Sequence, residues 1–204
     1  MIIWLNGPFG VGKTQTAFEL HRRLPESFVS DPEHFGYGIH RMQPRELRGD
    51  FQDAPLWRRG VLEVLSDVDA RRQQKFGSRM VATIVPMTII RADYFDEVVG
   101  GLRDRGHDVR HFALVASTAT VRRRLRGRGE GIIGHSWASR RIDEGLRSLQ
   151  DPKFADHIPT DSLTIAQVAE TIGRMCELVL TSDDSSPQVS WLRRRAVQLR
   201  HVRR

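Results

Sequence analysis

Apolar residues fall along this chain in two alternating patterns. Short unbroken runs, beginning with MIIWL at residues 1–5, have the character of strands buried on both faces. Longer stretches carry apolar positions at helical spacing. After the first run come Ala17, Leu20 and Leu24, with Arg22 and Arg23 in the last turn. The alternation then repeats. Residues 27–31 make a second short run ending in Asp31, and residues 79–85 a β-branched third closed by Pro86. Residues 109–115 make a fourth run and residues 157–161 a short last one. Between them, residues 93–105 predict a helix that stops at Gly106, and Thr118 opens another. Thr164 with Gln167 forms a capping box for a final helix running to about residue 178. Strands alternating with helices argue for a parallel sheet covered on both faces.

The join between the first strand and its helix carries the clearest chemistry. It reads GPFGVGKT, with Gly7, Gly12, Lys13 and Thr14 matching G-x-x-x-x-G-K-[ST], and it sits between a strand and a helix as that motif requires. Glycines allow backbone conformations that let successive N–H groups turn onto phosphate oxygens. The helix N-terminus adds partial positive charge. The loop residues Gly7, Pro8, Phe9, Gly10, Val11, Gly12, Lys13, Thr14 and Gln15 are therefore expected to hold ATP. In this reading Lys13 reaches the β- and γ-phosphates and Thr14 gives a hydroxyl to Mg²⁺.

The third strand ends without a carboxylate, so the acid that motor and switch NTPases place there is missing. Asp31, at the end of the second strand, opens onto the same crevice. It could bind Mg²⁺ through water or take the proton of a hydroxyl attacking the γ-phosphate. Its alternative role is to cap the helix that follows Asp31-Pro32. Downstream, TVRRRLRGR at residues 120–128 leads into a segment with four glycines, Gly127, Gly129, Gly131 and Gly134, and then a new helix. Arginines running into a glycine-rich flap predict a lid over about residues 127–137 that excludes water and brings guanidinium groups to the phosphates.

Composition narrows the picture further. The chain has 204 residues, enough for one full domain over residues 1–180. No apolar stretch reaches spanning length, and residue 1 already begins a strand with no basic leader before it, so a cytoplasmic protein is expected. The lone Cys176, among Ile172, Met175 and Val179, fits a buried structural thiol. Eight histidines show no metal-ligand spacing. The net charge of +7 is concentrated after a linker at residues 181–188. Residues 189–204 hold six arginines and no acid, which leaves the rest of the chain near +1. Leu192, Ala196, Leu199 and Val202 form one stripe of that tail, with Trp191 at its border. This predicts a basic amphipathic helix suited to an anionic membrane surface, against the alternatives of docking on its own domain or binding nucleic acid. No base-reading module accompanies the charge, so no specific nucleic-acid partner is expected.

The arrangement resembles small P-loop kinases of the shikimate, gluconate and nucleoside-monophosphate kinase type. The resemblance implies an α/β, three-layer P-loop NTPase fold with a five-stranded parallel sheet, helices on both faces and a lid. It also implies, by analogy with adenylate kinase, that Arg124 packs on the adenine and Arg128 reaches phosphate. A more specific likeness rests on NGPFGVGKTQTAFELHRRL, DPEHFGYGIHRM, FQDAPLW, VPMTII, YFDEVVGGLR and ADHIPTDSLTIAQVAE. Together these resemble the ATP-binding tunicamycin-resistance protein family over about residues 1–180. That likeness implies resistance to a lipid-linked, uracil-containing nucleoside antibiotic, by phosphorylation or by sequestration. The acceptor pocket would be lined by Phe35, Tyr37, Trp57 and Arg58, with Met87 and Thr88 beyond the third strand. The alternative for the aromatic groups is ordinary core.

Overall fold

The computed structural model describes residues 1–77, 79–127 and 135–182, with the side chains of residues 135–141 outside that set. Five parallel strands form one sheet in the order β2-β3-β1-β4-β5. They are β1 (Ile2–Asn6), β2 (Phe28–Val29), β3 (Thr83–Pro86), β4 (Val109–Val115) and β5 (His157–Pro159). The helices are α1 (Lys13–Arg23), α2 (Glu33–Arg41), α3 (Pro55–Phe76), α4 (Ala92–Phe95), α5 (Gly101–Asp104), α6 (Thr118–Arg126), α7 (His135–Ser148) and α8 (Ile165–Met175).

Strand periodicity divides the core into two layers. Ile3 and Leu5 of β1 point to one face, where they meet Ala17 and Leu20 of α1, Val121 and Leu125 of α6, and Val168 and Ile172 of α8. Ile2 and Trp4 point to the other, against Trp57, Val61 and Leu65 of α3 and Val98, Val99 and Leu102 around α4 and α5. A central strand covered on both faces must be apolar at every position, which is why β1 reads as an unbroken run. The expected three-layer α/β architecture is present.

Several boundaries differ from the pattern-based reading, each for a physical reason. The run at residues 27–31 is ordered as strand only at Phe28 and Val29, which pair with Thr83 and Ile84. Beyond them the chain turns, with Asp31 Oδ1 accepting from the Glu33 N–H at 3.0 Å. β3 starts at Thr83, not residue 79, because β1 begins at Ile2 and its register places Thr83 opposite that residue. α8 ends at Met175 because Glu177 takes a left-handed conformation (φ 55°) and the Leu178 N–H returns to the Gly173 carbonyl at 2.8 Å. The helix expected over residues 93–105 spans α4 and α5, with a π turn at Asp96–Gly100 between them. Cys176 is a buried free thiol, and burial pushes its pKa up to about 11. The linker, the basic tail and most of the predicted lid lie outside the described residues. Among the described residues, no helix is long and apolar enough to cross a membrane.

Candidate nucleotide site

The loop between β1 and α1 has the backbone of a phosphate cradle. Gly7, Gly10 and Gly12 all take positive φ, at 144°, 83° and 118°. Space excludes side chains as well. A Cβ on Gly7 would sit 2.6 Å from the Leu114 carbonyl oxygen, and one on Gly10 would sit 2.8 Å from a Leu125 methyl. α1 starts at Lys13 behind an N-cap, Gly12, that gives its first turn no side-chain cap. An uncapped helix N-terminus beneath inward-turning N–H groups is a ready anion site. The residues present therefore fit a nucleotide phosphate chain.

Lys13 is folded over its own loop. Its Nζ donates to the carbonyl oxygens of Gly7 and Pro8, at 2.9 and 3.2 Å. Thr14 follows in the first turn of α1 and is half-buried. Among the described residues no group of three His, Cys, Asp or Glu side chains could hold a metal ion. Thr14 would supply a loop hydroxyl to a divalent ion bound with the nucleotide.

Two clamps fix this loop to the sheet, and neither is evident from the motif. Asn6, fully buried at the end of β1, donates through Nδ2 to the Ile89 carbonyl at 2.7 Å. Its Oδ1 accepts from the N–H groups of Gly7 and Ile89, at 2.8 and 3.0 Å. Thr88 Oγ1 donates to the Gly7 carbonyl at 2.7 Å, so this predicted acceptor residue sits directly on the phosphate loop. The one available signal for Asn6 was a polar residue closing an apolar strand just before the first glycine.

Arg124 makes the second clamp. Its guanidinium donates to the Val11 carbonyl at 2.9 Å, to Thr160 Oγ1 at 3.0 Å and to the Thr160 carbonyl at 2.6 Å. It thus ties α6 to both the loop and the end of β5. Next to it, Asp161 accepts from the Ser117 N–H and from Ser117 Oγ, the latter at 2.6 Å. The Ser117 and Thr120 hydroxyls hold its carboxyl below the usual range. Ile165, opening α8, lies 3.3 Å from where a Gly12 Cβ would be. Arg124, Thr160 and Ile165 frame the side of the loop that the likeness to adenylate kinase assigned to adenine. A cleft of about 850 Å³ opens behind the Ser117–Asp161 pair, between α6 and α7, and none of the predicted acceptor residues lines it. Arg128 lies outside the described residues.

At the other end of the crevice, Asp31 and Glu33 open α2. The Tyr37 hydroxyl donates to Glu33 at 3.1 Å. Burial, and then the negative charge of Glu33 and of Asp31, push the Tyr37 phenol up to about 12. Asp31 does bond the backbone of Glu33 and so does serve the turn into α2.

The rest of the predicted acceptor lining is packed to different degrees. Trp57 and Met87 are 0% and 1% exposed and belong to the core, with the Trp57 indole N–H donating to the Pro32 carbonyl. Arg58 is buried under its own partners. It bonds Glu97 at 2.6 Å and the Gln52 carbonyl at 2.6 Å, and lies 4.1 Å over the Tyr94 ring. The π turn carries Glu97. Phe35 is partly exposed, yet its ring rests where a Gly60 Cβ would be, only 2.2 Å from Cε1. Phe51 covers Gly36 in the same way, at 2.5 Å. These rings therefore staple α2 to α3 and so set the orientation of the helix that Asp31 introduces.

Comparison with known proteins agrees with this geometry. Residues 2–152 match the family model described as an AAA domain. The tunicamycin resistance protein of Deinococcus radiodurans is 36% identical, with 89% of this chain and 98% of that one covered and a TM-score of 0.73. A sugar kinase from Janibacter is 19% identical over 87% and 94% of the two chains, with a TM-score of 0.61. The APS kinase of Mycobacterium tuberculosis, solved with AMPPNP and APS, is 18% identical over 86% and 96%, with a TM-score of 0.53. The last two show the fold alone. No curated protein sequence matches the chain.

Proposed function

The chain belongs to the AAA domain family and to the tunicamycin-resistance ATP-binding proteins, and from that premise we propose that it is an ATP-dependent phosphotransferase acting on a hydroxyl of tunicamycin or a related nucleoside-like molecule. The observation that carries this reading is the pairing of a complete phosphate cradle with Asp31, which ends the strand run two places away in the same parallel sheet. A binding module needs the cradle. Phosphoryl transfer needs in addition a carboxylate on the acceptor side.

In this mechanism the loop N–H groups and Lys13 hold the β- and γ-phosphates. Lys13 leaves the Gly7 and Pro8 carbonyls to do so. Thr14, with Asp31 through water, would hold Mg²⁺, which when bound draws charge from the β- and γ-oxygens. Arg124 presents its guanidinium to the adenine, and Arg128 would meet phosphate from the lid. Asp31 takes the proton as the acceptor oxygen bonds to the γ-phosphorus and the bond to the bridging oxygen breaks. Tyr37, Thr88 and the exposed edge of Phe35 face the acceptor.

One observation favours a second reading. Asp31 already bonds the Glu33 N–H, so the protein could use ATP only to close around the drug. Incubation with γ-labelled ATP and tunicamycin separates the two. Labelled drug supports transfer, whereas ATP-dependent drug binding without labelled product supports sequestration. For the tail we propose contact with the inner membrane surface, where an acylated drug would be met. Sedimentation with anionic and neutral vesicles tests it, comparing the full chain with a form ending at Asp184. Equal sedimentation of the two forms would remove the tail from the mechanism.

A further inference from the structure

Phe9 stands out of an otherwise buried loop. Residues 7–13 are buried except for Phe9, which leaves 60% of its surface in solvent. Its neighbours are fixed on both sides. Pro8 lies against α7, where a Cβ on Gly145 would be 3.4 Å from the Pro8 Cβ. Gly10 lies against α6, where its own Cβ would meet Leu125 at 2.8 Å and Val121 at 3.2 Å. The loop is thus held at residue 8 by α7 and at residue 10 by α6, and the phenyl ring of the residue between them is left exposed.

Lys13 Nζ rests on the carbonyls of Gly7 and Pro8, so the limb that carries Phe9 lies within reach of the ammonium that would turn to the terminal phosphates. A phenyl ring has no hydrogen bond to offer phosphate, and leaving it in water forgoes hydrophobic stabilisation. Phosphate binding does not account for it.

We propose that Phe9 is a specificity-determining residue that keeps water from the terminal phosphate, so that the phosphoryl group passes to a bound hydroxyl and not to solvent. This inference rests on the phosphotransfer reading above. In the reaction it suppresses, a water oxygen bonds to the γ-phosphorus while the bond from that phosphorus to the bridging oxygen breaks. ADP leaves with the electron pair, the water gives up a proton, and inorganic phosphate is released. An apolar ring at that end of the loop denies water a place from which to attack.

The test is phosphate release from Mg²⁺·ATP by the full chain with no acceptor added. Wild type is compared with Phe9→Ala, Phe9→Leu and Lys13→Ala, and ATP affinity is measured alongside. Phe9→Ala is expected to release phosphate about tenfold faster than wild type, with Phe9→Leu between the two, because a smaller apolar group excludes less water. ATP affinity in both Phe9 variants should stay within about threefold, since residue 9 offers phosphate only its backbone N–H, which both variants keep. Lys13→Ala should fall to background, which assigns the release to this loop. Release by Phe9→Ala no faster than wild type, with ATP still bound, overturns the role of Phe9 and leaves the phosphotransfer reading standing. A wild-type chain that binds no ATP overturns both.

Discussion

Asn6 forms a two-point hydrogen bond with Ile89, donating to its carbonyl at 2.7 Å and accepting from its N–H at 3.0 Å. The same carboxamide oxygen takes the Gly7 N–H at 2.8 Å. One fully buried side chain therefore sets the distance between the start of the phosphate loop and the segment leaving β3. Asn6→Leu keeps the volume but strands three buried backbone groups, at a cost of about 2–4 kcal/mol. Urea unfolding should show that loss, and ATP affinity should fall with it. Asn6→Asp, which keeps the acceptors and loses the donor, should lie between the two.

Lys13→Ala should leave the fold intact while removing function. The ammonium contacts two loop carbonyls, and one of them, Gly7, keeps a second donor in Thr88. The stability change should therefore be small, about 1 kcal/mol or less. Loss of a charge partner to the transferring phosphoryl should lower turnover by about 10²–10³-fold. Thermal melting and ATP turnover measured on the same preparation check both halves. Full turnover would show that the loop is not the reacting site.

Asp31→Asn separates charge from capping. Asparagine retains an oxygen to accept the Glu33 N–H, whose bond to Asp31 is 3.0 Å, so α2 should start as before and the melting temperature should hold. If Asp31 takes the proton, turnover should fall by about 10²–10⁴-fold while ATP still binds. A drop in melting temperature with turnover unchanged would assign Asp31 to the helix alone.

The phosphate loop and sheet were legible in the sequence because their requirements are local. Buried parallel strands must be apolar throughout, and a phosphate cradle needs glycines at fixed offsets from Lys-Thr. β4 was readable to the residue for the first reason. The acceptor side was not legible, because there the same residue types serve packing. Trp57 and Met87 look like pocket walls by type, but their burial depends on which strand and helix lie opposite. α3 was hidden because apolar residues also fall off its core stripe of Trp57, Val61 and Leu65, with Leu56 and Val64 left exposed. Arg58 needed a partner, Glu97, that is 39 residues away and is carried by a π turn. Thr88 reads from the sequence as acceptor lining, whereas its bond to Gly7 spans 81 residues and no local pattern encodes it.

Gly60→Ala should misplace α2. The added methyl would sit 2.2 Å from Phe35 Cε1, so the ring must move or the helices must part. Overpacking of this kind costs about 1–3 kcal/mol. Phe35→Ala alone should cost less than it would in a closed core, because the ring is already 38% exposed. If the clash is the cause, the double variant Gly60→Ala/Phe35→Ala should be more stable than the two single losses added together. A double-mutant cycle by chemical denaturation measures the coupling. Strict additivity would mean that Phe35 and Gly60 do not meet.

His111 should make the protein acid-sensitive for a reason unrelated to nucleotide. Its ring is 3% exposed, and Phe95 lies edge-on at 4.7 Å. Nδ1 donates to the Ala155 carbonyl at 2.9 Å, and Nε2 has no hydrogen-bond partner among the described residues. Burial lowers its pKa to about 4, against an ordinary value of 6.5. The folded value lies below the unfolded one, so between these two pH values the unfolded chain binds the proton that the folded chain refuses. This contribution to stability is complete above pH 6.5 and declines as pH falls towards 4, by about 1.4 kcal/mol per pH unit. From pH 6.5 to 5 the loss should reach about 2 kcal/mol. His111→Phe has nothing to titrate, so its denaturation midpoint should fall less steeply over that range than the wild type's. The comparison rests on the two slopes, which a uniform packing cost in the variant does not change. Equal slopes would mean that His111 takes up its proton as readily in the folded protein as in the unfolded one.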